Sequence, residues 1–328
     1  MEMVIAWLLR TIYFGTVIMY GALGEIITEK SGNLNLGVPG IMYLGGFAGF
    51  ATAYLYETGT ENPNMALAAA LAVIVGFIAG ALGGLIYSFL TTTLRANQNV
   101  TGLALTIFGQ GVANFFGAFI LNGKTATQTM AYTVFQAKIP VLSDLDGLFD
   151  VLFDHGFMVY AAIVLAFVLS RVLNHTRVGL NLRAVGENPG TADAAGISVT
   201  RYKYAATCIG AGISGLGGLF YVLDYNNGIW ATTDQIEALG WLAVALVIFT
   251  TWKPLNAIWG SYLFGLLYWL YQFLPTLLGW TVTSYVTDLI QMLPYIVTIV
   301  VLVFTSLRKK RDDQPPASLG LAYFREDR

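Results

Sequence analysis

Residues 64–94 read NMALAAALAVIVGFIAGALGGLIYSFLTTTL, a run without a single Asp, Glu, Lys or Arg. About 20 apolar residues, rising about 1.5 Å each, cross a hydrocarbon core about 30 Å thick. This run is therefore a membrane-crossing helix, long enough to tilt or break. Eight more stretches come close to the required length: 6–27, 36–56, 98–121, 157–174, 204–223, 238–252, 256–278 and 289–307. Composition agrees. Of 328 residues, 56% are hydrophobic and only 11% charged, against roughly 25% charged in soluble domains. Mean hydropathy is +0.65. The sequence predicts an all-α polytopic membrane protein with about nine transmembrane helices.

Lys and Arg gather on the cytoplasmic side of multi-pass proteins. Arg171, Arg177, Arg183, Arg201 and Lys203 flank or fill one loop, and Arg308, Lys309, Lys310 and Arg311 follow the last apolar run. Placing both in the cytoplasm brings Lys30, Arg95 and Lys253 there as well. The opposite loops then hold Lys124 and Lys138 among the acids Glu57, Glu61, Asp144, Asp146, Asp150, Asp154, Asp234, Glu237 and Asp288. The N-terminus is thus expected outside and the C-terminus inside. Met1-Glu2-Met3 carries no basic n-region and no small-residue cleavage site follows, so the first helix is expected to be retained. A transmembrane domain over 1–311 would end in a cytoplasmic tail, 312–328. That tail begins Asp312-Asp313-Gln314-Pro315-Pro316 and reads as a loose end. The single cysteine, Cys208, excludes an intrachain disulfide, and two histidines, His155 and His175, exclude a His-rich metal centre. No cofactor is expected.

The opening run contains GALGGLIY at 80–87, and residues 214–221 read SGLGGLFY. Gly76, Gly80 and Gly84 recur as Gly210, Ser214 and Gly218, spaced four apart and so on one helix face. Small residues in that spacing let membrane helices approach closely. Irregular polar stretches follow both copies, 95–101 and 224–237. The expected topology sends the first copy inward and the second outward, which is the layout of an inverted repeat in a transporter.

Two enzyme-like patterns fail on context. Residues 118–125, AFILNGKT, end like a phosphate loop, but the first glycine is missing and the segment leaves a membrane span instead of joining strand to helix. Ser214 within Gly212-Ile213-Ser214-Gly215 has no histidine in the same part of the span to activate it, and it belongs to the packing face.

The loop from His175 to Tyr204 is more informative. Asn188 can cap a helix, Pro189 suits its first position and Gly196 suits the residue just past its end. A helix of about two turns outside the bilayer is expected over 187–196. It carries Thr191 and Asp193, with Arg183, Arg201 and Lys203 beside it, and it is longer than a bare connector requires. This reads as a docking helix for a cytoplasmic partner.

Arg183-Ala184-Val185-Gly186-Glu187-Asn188-Pro189, with Ala192-Asp193 and Ala195-Gly196-Ile197, resembles the coupling loop of the ABC importer permeases that serve branched-chain amino acids, simple sugars and nucleosides. Gly24-Glu25 with Gly32-Asn33-Leu34-Asn35-Leu36-Gly37, and Asn97-Gln98-Asn99-Val100-Thr101-Gly102, extend the resemblance over nearly the whole chain. Its wording is nearest the nucleoside and simple-sugar branch. Where relatives often carry an acid before Gly40, this chain has Pro39.

The resemblance implies a permease subunit in the bacterial plasma membrane, without catalytic residues of its own. ATP would be hydrolysed by a separate cytoplasmic ATP-binding subunit. A second related permease would complete the pore as a heterodimer, and an extracytoplasmic substrate-binding lipoprotein would deliver cargo, with the 122–156 loop long enough to help receive it. Membrane lipids would surround it, and nothing suggests nucleic acid. Arg183, Glu187, Asn188, Pro189, Asp193 and Gly196 would couple the ATPase to the spans.

Polar groups at membrane depth are costly and so face protein or a water-filled path. Glu25, Asn33, Asn35, Asn97, Gln98, Asn99, Thr101, Asn114, Asn226 and Asn227 are the candidates, with the rings of Tyr87, Tyr221 and Trp241. Of these, Glu25, Asn33, Asn35, Asn97, Asn99, Thr101, Tyr221 and Trp241 are taken as the substrate pathway. Amides and rings suit a nucleoside or sugar; the same residues could instead cap broken helices or, for Glu25, Asn33 and Asn35, pair with Lys30. The competing readings are a permease for branched-chain amino acids and an ion-coupled secondary transporter, for which Glu25 is the one intramembrane acid in view.

Overall fold

The computed structural model describes residues 2–121, 126–138, 150–231, 235–279, 284–308 and 314–325. In chain order the helices are α1 (Glu2–Lys30), α2 (Val38–Gly59), α3 (Met65–Ser88), α4 (Gln98–Ile120), α5 (Tyr132–Phe135), α6 (Asp150–Phe153), α7 (Phe157–His175), α8 (Arg177–Glu187), α9 (Pro189–Ala194), α10 (Val199–Phe220), α11 (Gln235–Phe249), α12 (Pro254–Leu278), α13 (Ser284–Gln291) and α14 (Leu293–Arg308). The strands β1 (Ala126–Gln128) and β2 (Ile229–Ala231) pair antiparallel, with Thr127 opposite Trp230. This short ribbon is the one departure from an all-helical chain among the described residues. Lys124, Asp144, Asp146, Asp234 and the basic run 309–311 lie outside the described residues, as do 122–125, the end of the phosphate-loop-like run.

Helices occupy all nine apolar stretches. Among the described residues, six helices are long and apolar enough to cross a membrane: α1, α2, α3 with its extension to Thr93, α4, α7, and α10 with its extension to Tyr225. α11 and the run Tyr285–Val301 are shorter. The outer helices turn apolar side chains away from the bundle; Ile107 is 73% exposed and Phe119 74%. Continuous apolar exposure of that kind faces lipid, not water. The chain is a multi-pass helical membrane protein.

At the centre lies α10, packed on α3, α1 and α2. The two look-alike segments meet there. Gly84 lies beside Thr207 and Ala211, Gly80 beside Ala211 and Gly215, and Gly76 beside Leu219, so α3 and α10 run antiparallel. The approach leaves no room for a side chain: a Cβ on Gly80 would sit 2.5 Å from the Ala211 carbonyl, and one on Gly218 would sit 1.8 Å from the Met42 carbonyl. Both helices end alike. α3 runs into a π turn at Phe89–Thr93 and α10 into one at Tyr221–Tyr225. Two residues beyond each turn, Arg95 (φ 58°) and Asn227 (φ 53°) take the left-handed conformation.

The loop expected between α7 and α10 contains two helices. α9 follows the predicted capping: the Asn188 side chain accepts from Thr191 N at 2.9 Å, Pro189 opens the helix, and Gly196 has φ 84°. The preceding α8, capped by Thr176 accepting from Gly179 N at 3.1 Å, falls where the sequence suggests only loop. Its few apolar positions place Leu182 and Val185 inward, a pattern too short to stand out.

The tail corrects the sequence reading. Residues 314–325 are bound to the body and are not a loose end. Ser318 N and Oγ both donate to the Gly186 carbonyl, at 3.0 and 2.6 Å, and Gly320 N donates to Gly32 O at 3.2 Å. Tyr323 OH donates to Asp193 Oδ2 at 2.9 Å, and Arg325 Nε lies 3.2 Å from the same oxygen. The Arg95 guanidinium lies 4.6 Å from the Phe324 ring centre.

Candidate functional site

The second π turn opens onto a polar cavity. Asp224, Tyr225 and Asn227 line a vestibule of about 480 Å³ with Arg10 and Tyr13 of α1, Gln136 and Lys138 after α5, and Trp269 of α12. That volume is in the range of small-molecule sites. A π turn offsets the side chains that a regular helix would aim at neighbouring helices, here delivering Asp224 to the cavity. Gln136 fixes the turn: its Nε2 donates to Asp224 O at 2.8 Å and to Asn227 Oδ1 at 2.7 Å. Asp224 itself is 1% exposed, and neither carboxylate oxygen has a hydrogen-bond partner among the described residues.

The two cations of the vestibule already have partners. Arg10 lies 4.9 Å from the Trp269 ring centre and donates to Gln272 Oε1 at 3.5 Å. Lys138 is ion-paired with Asp154. Nearby His155 is buried, its Nε2 2.9 Å from Val151 O and its ring edge-on to Tyr13; burial pushes its pKa below the ordinary 6.5. A smaller cavity of about 70 Å³ shares Tyr225 with the vestibule and adds Tyr221, Gln235, Tyr268 and Tyr295. There Tyr221 stacks on Tyr225 at 5.4 Å and donates to Gln235 Oε1 at 2.5 Å.

Three of the eight residues taken as the pathway, Glu25, Asn33 and Asn35, lie elsewhere, in a knot that ties down the α1–α2 linker. Glu25 Oε1 accepts from Asn35 N at 3.0 Å, Asn35 Oδ1 accepts from Gly37 N at 2.9 Å, and Asn33 Nδ2 donates to Thr207 Oγ1 at 3.0 Å. Gln98 Oε1 accepts from Leu34 N at 2.6 Å and Tyr87 OH donates to Leu34 O at 2.5 Å. All five side chains are buried, and these hydrogen bonds go to the linker backbone or to Thr207; Asn33 Oδ1 has no partner among the described residues. Asn97 caps α4, accepting from Val100 N at 3.0 Å; Thr101 Oγ1 returns to Asn97 O at 2.8 Å; Asn99 is exposed. Asn226 closes its own turn on Ile229 O at 2.8 Å. Trp241 is half-buried and donates to Glu237 at 3.4 Å, away from both cavities. Only Tyr221 and Asn227 of the sequence candidates line a cavity of this group. Asp224 was counted in an irregular stretch; an acid at the end of an apolar span was the signal to follow.

The residues expected to couple the ATPase lie on and beside α8 and α9. Arg183 is half-buried on α8, Glu187 accepts from Ala317 N at 3.4 Å, and Asn188, Pro189 and Gly196 frame α9. Asp193 is engaged by the tail.

A family model described as the permease component of branched-chain amino acid transport systems matches residues 7–302. The chain belongs to that family. Among its relatives, the guanosine ABC transporter permease protein NupQ of Bacillus subtilis is 32% identical over 262 residues, 78% of each chain. The nucleoside ABC transporter permease protein NupC of Lactococcus lactis is 29% identical over 295 residues, 88% of each. TsgC13 of Haloferax volcanii, an ABC transporter permease protein provisionally named for glucose, is 31% identical over 261 residues, 78% of this chain and 74% of that one. No solved structure matches. This permease is thus a transport component and not an enzyme, and its family works with an ATP-binding subunit and a substrate-binding protein.

Proposed function

We propose that this permease carries nucleosides or related simple sugars inward through the vestibule beside Asp224, in the bacterial plasma membrane. The observation that carries the substrate class is the buried Asp224 carboxylate left unpaired beside Tyr225, Tyr13 and Trp269. An unpaired buried carboxylate is costly, so its natural complement is a ligand that brings donors. Sugar hydroxyls bring donors and no fixed charge, and rings stack on a sugar face or a base. A branched-chain amino acid would also require a free cation for its carboxylate, and Arg10 and Lys138 are both engaged. The names of NupQ, NupC and TsgC13 favour the same reading.

In this reading the vestibule faces outside, where a lipoprotein delivers cargo, and α8, α9 and the tail face the cytoplasm, in keeping with the positive charge around them. Helices in all nine apolar stretches support nine crossings, with the N-terminus outside. The antiparallel fit of α3 on α10, and the shared π turn and left-handed residue at their ends, support an inverted repeat. A second related permease completes the pore. The ATP-binding subunit docks on α8–α9, with Arg183, Glu187, Asn188, Pro189 and Gly196 shaping that face, while Asp193 anchors the tail beneath it.

The test is uptake by the assembled transporter in proteoliposomes. ATP-dependent uptake of a nucleoside or simple sugar, lost in Asp224→Asn, is expected. Uptake of leucine or isoleucine alone would overturn the substrate class. Uptake that persists without ATP and collapses with an ionophore would point to the secondary transporter.

A further inference from the structure

The first π turn also borders a cavity, at the opposite end of the α3–α10 pair. It holds about 290 Å³ between Thr92 and Arg95, the start of α10 at Ser198 and Lys203, and Asp193 with Arg325 of the tail. Lys203 is 2% exposed, lines this cavity and has no hydrogen-bond or ion-pair partner among the described residues. Thr92 Oγ1, also buried, likewise has none. Among the described residues the one acid of the lining is Asp193, and its Oδ2 already receives Tyr323 and Arg325. The Ser198 side chain caps none of the first amides of α10, so the 22-residue helix presents its positive end here. Donors therefore converge from the π turn, the helix start and the tail, with one acid already occupied.

From this convergence we infer that the cavity binds the phosphate group of an anionic ligand, held by Lys203, Thr92, Arg95 and the α10 amides. A tetrahedral phosphate offers several acceptor oxygens in different directions, which suits donors arriving from three elements. A planar carboxylate offers two. Two sources share this chemistry: a soluble phosphate or phosphomonoester, and the headgroup of an anionic lipid. Because Tyr323 and Arg325 belong to the cavity wall, an occupied site would hold the tail against α9. The inference is independent of which substrate passes the vestibule.

The full chain, purified in neutral detergent, would be titrated with inorganic phosphate and with AMP by calorimetry. In parallel it would be exposed to phosphatidylglycerol or phosphatidylcholine and weighed by native mass spectrometry. Saturable binding of phosphate or AMP identifies the soluble source. Retention of phosphatidylglycerol over phosphatidylcholine identifies the lipid source. Either supports the site if Lys203→Gln weakens it by about tenfold and Thr92→Val by about threefold, with acetate not binding. Thr92→Val keeps the side-chain size and so carries the test even if Lys203→Gln fails to fold. Absence of binding to the wild-type chain from both sources, or equal binding to both variants, would overturn the inference and leave Lys203 as a charge with no small-molecule ligand.

Discussion

Residues 89–95 end α3 and residues 221–227 end α10, each with a five-residue π turn and a left-handed residue two places on. The chemistry they present differs. The first offers Thr92 and Arg95 to a cavity with Lys203 behind it; the second offers Asp224 and Asn227 to a vestibule walled by aromatic rings. Because α3 and α10 are antiparallel, one backbone device serves opposite ends of one helix pair. Backbone shape sets where side chains point, and the residues substituted onto it set the kind of ligand each end accepts.

The comparison stands or falls first on the helix pair. Gly80→Leu or Gly218→Leu would drive a side chain into backbone carbonyls that cannot move aside. Overpacking costs about 1–3 kcal/mol where neighbours can adjust and more where they are backbone, so both variants should lose folded protein in detergent, by size-exclusion yield and melting temperature. Gly111→Leu is the control, since nothing lies within 4 Å of its would-be Cβ; it should be indistinguishable from wild type. Equal tolerance at all three positions would separate the two π turns into unrelated features.

Next in size is the chemical difference between the ends. Asp224→Asn keeps the shape and removes the charge. A hydrogen bond to a charged group contributes about 1.5–3 kcal/mol, so uptake at subsaturating substrate should fall by about 10- to 100-fold. Arg95→Gln, two residues beyond the first turn, should leave substrate selectivity unchanged. A selectivity change in Arg95→Gln with none in Asp224→Asn would reverse the assignment of the two ends.

What the sequence disclosed follows from the range of the forces involved. The small-residue faces and the Asn188-Pro189 to Gly196 helix are written in local rules of spacing and capping, and they were legible. Glu25, Asn33 and Asn35 were legible as buried polar groups, because an apolar neighbourhood makes them conspicuous. Their partners were not, since Asn33 meets Thr207 from a distant helix. Asp224 was passed over because its burial depends on a π turn, for which no local residue pattern was available. The tail misled for the same reason: Asp-Asp-Gln-Pro-Pro composition speaks for solvent, while Ser318 on Gly186 is a contact made across 132 residues of chain.

A smaller effect should appear where the tail meets the first end. Tyr323→Phe with Arg325→Gln removes one hydrogen bond and one ion pair from Asp193. The ion pair is largely exposed on the Arg325 side and contributes little, so the sum is about 1–2 kcal/mol. Melting temperature should barely change, while amide exchange over 186–193 and 318–323 should rise severalfold. The vestibule amides at 224–228 should exchange as in wild type. A uniform rise at both ends would mean that the tail supports the whole bundle.

The smallest expected effect belongs to the other end and follows from His155. Its ring is buried, which disfavours the imidazolium, and the Lys138 charge acts in the same direction; the contact with Val151 O and the Asp154 charge oppose them without prevailing. In the unfolded chain His155 takes up a proton near pH 6.5, while in the folded protein it does so only at lower pH. Above about pH 6.5 both states are neutral at this site, and stability is independent of its titration. As pH falls below 6.5 toward the folded-state pKa, the unfolded state binds the extra proton and the fold loses stability. Melting temperature should therefore decline slightly between pH 7 and pH 5.5. His155→Phe keeps a ring against Tyr13 and cannot be protonated, so it should flatten that decline. If His155→Phe kept the full slope, the acid sensitivity would not arise at the vestibule end.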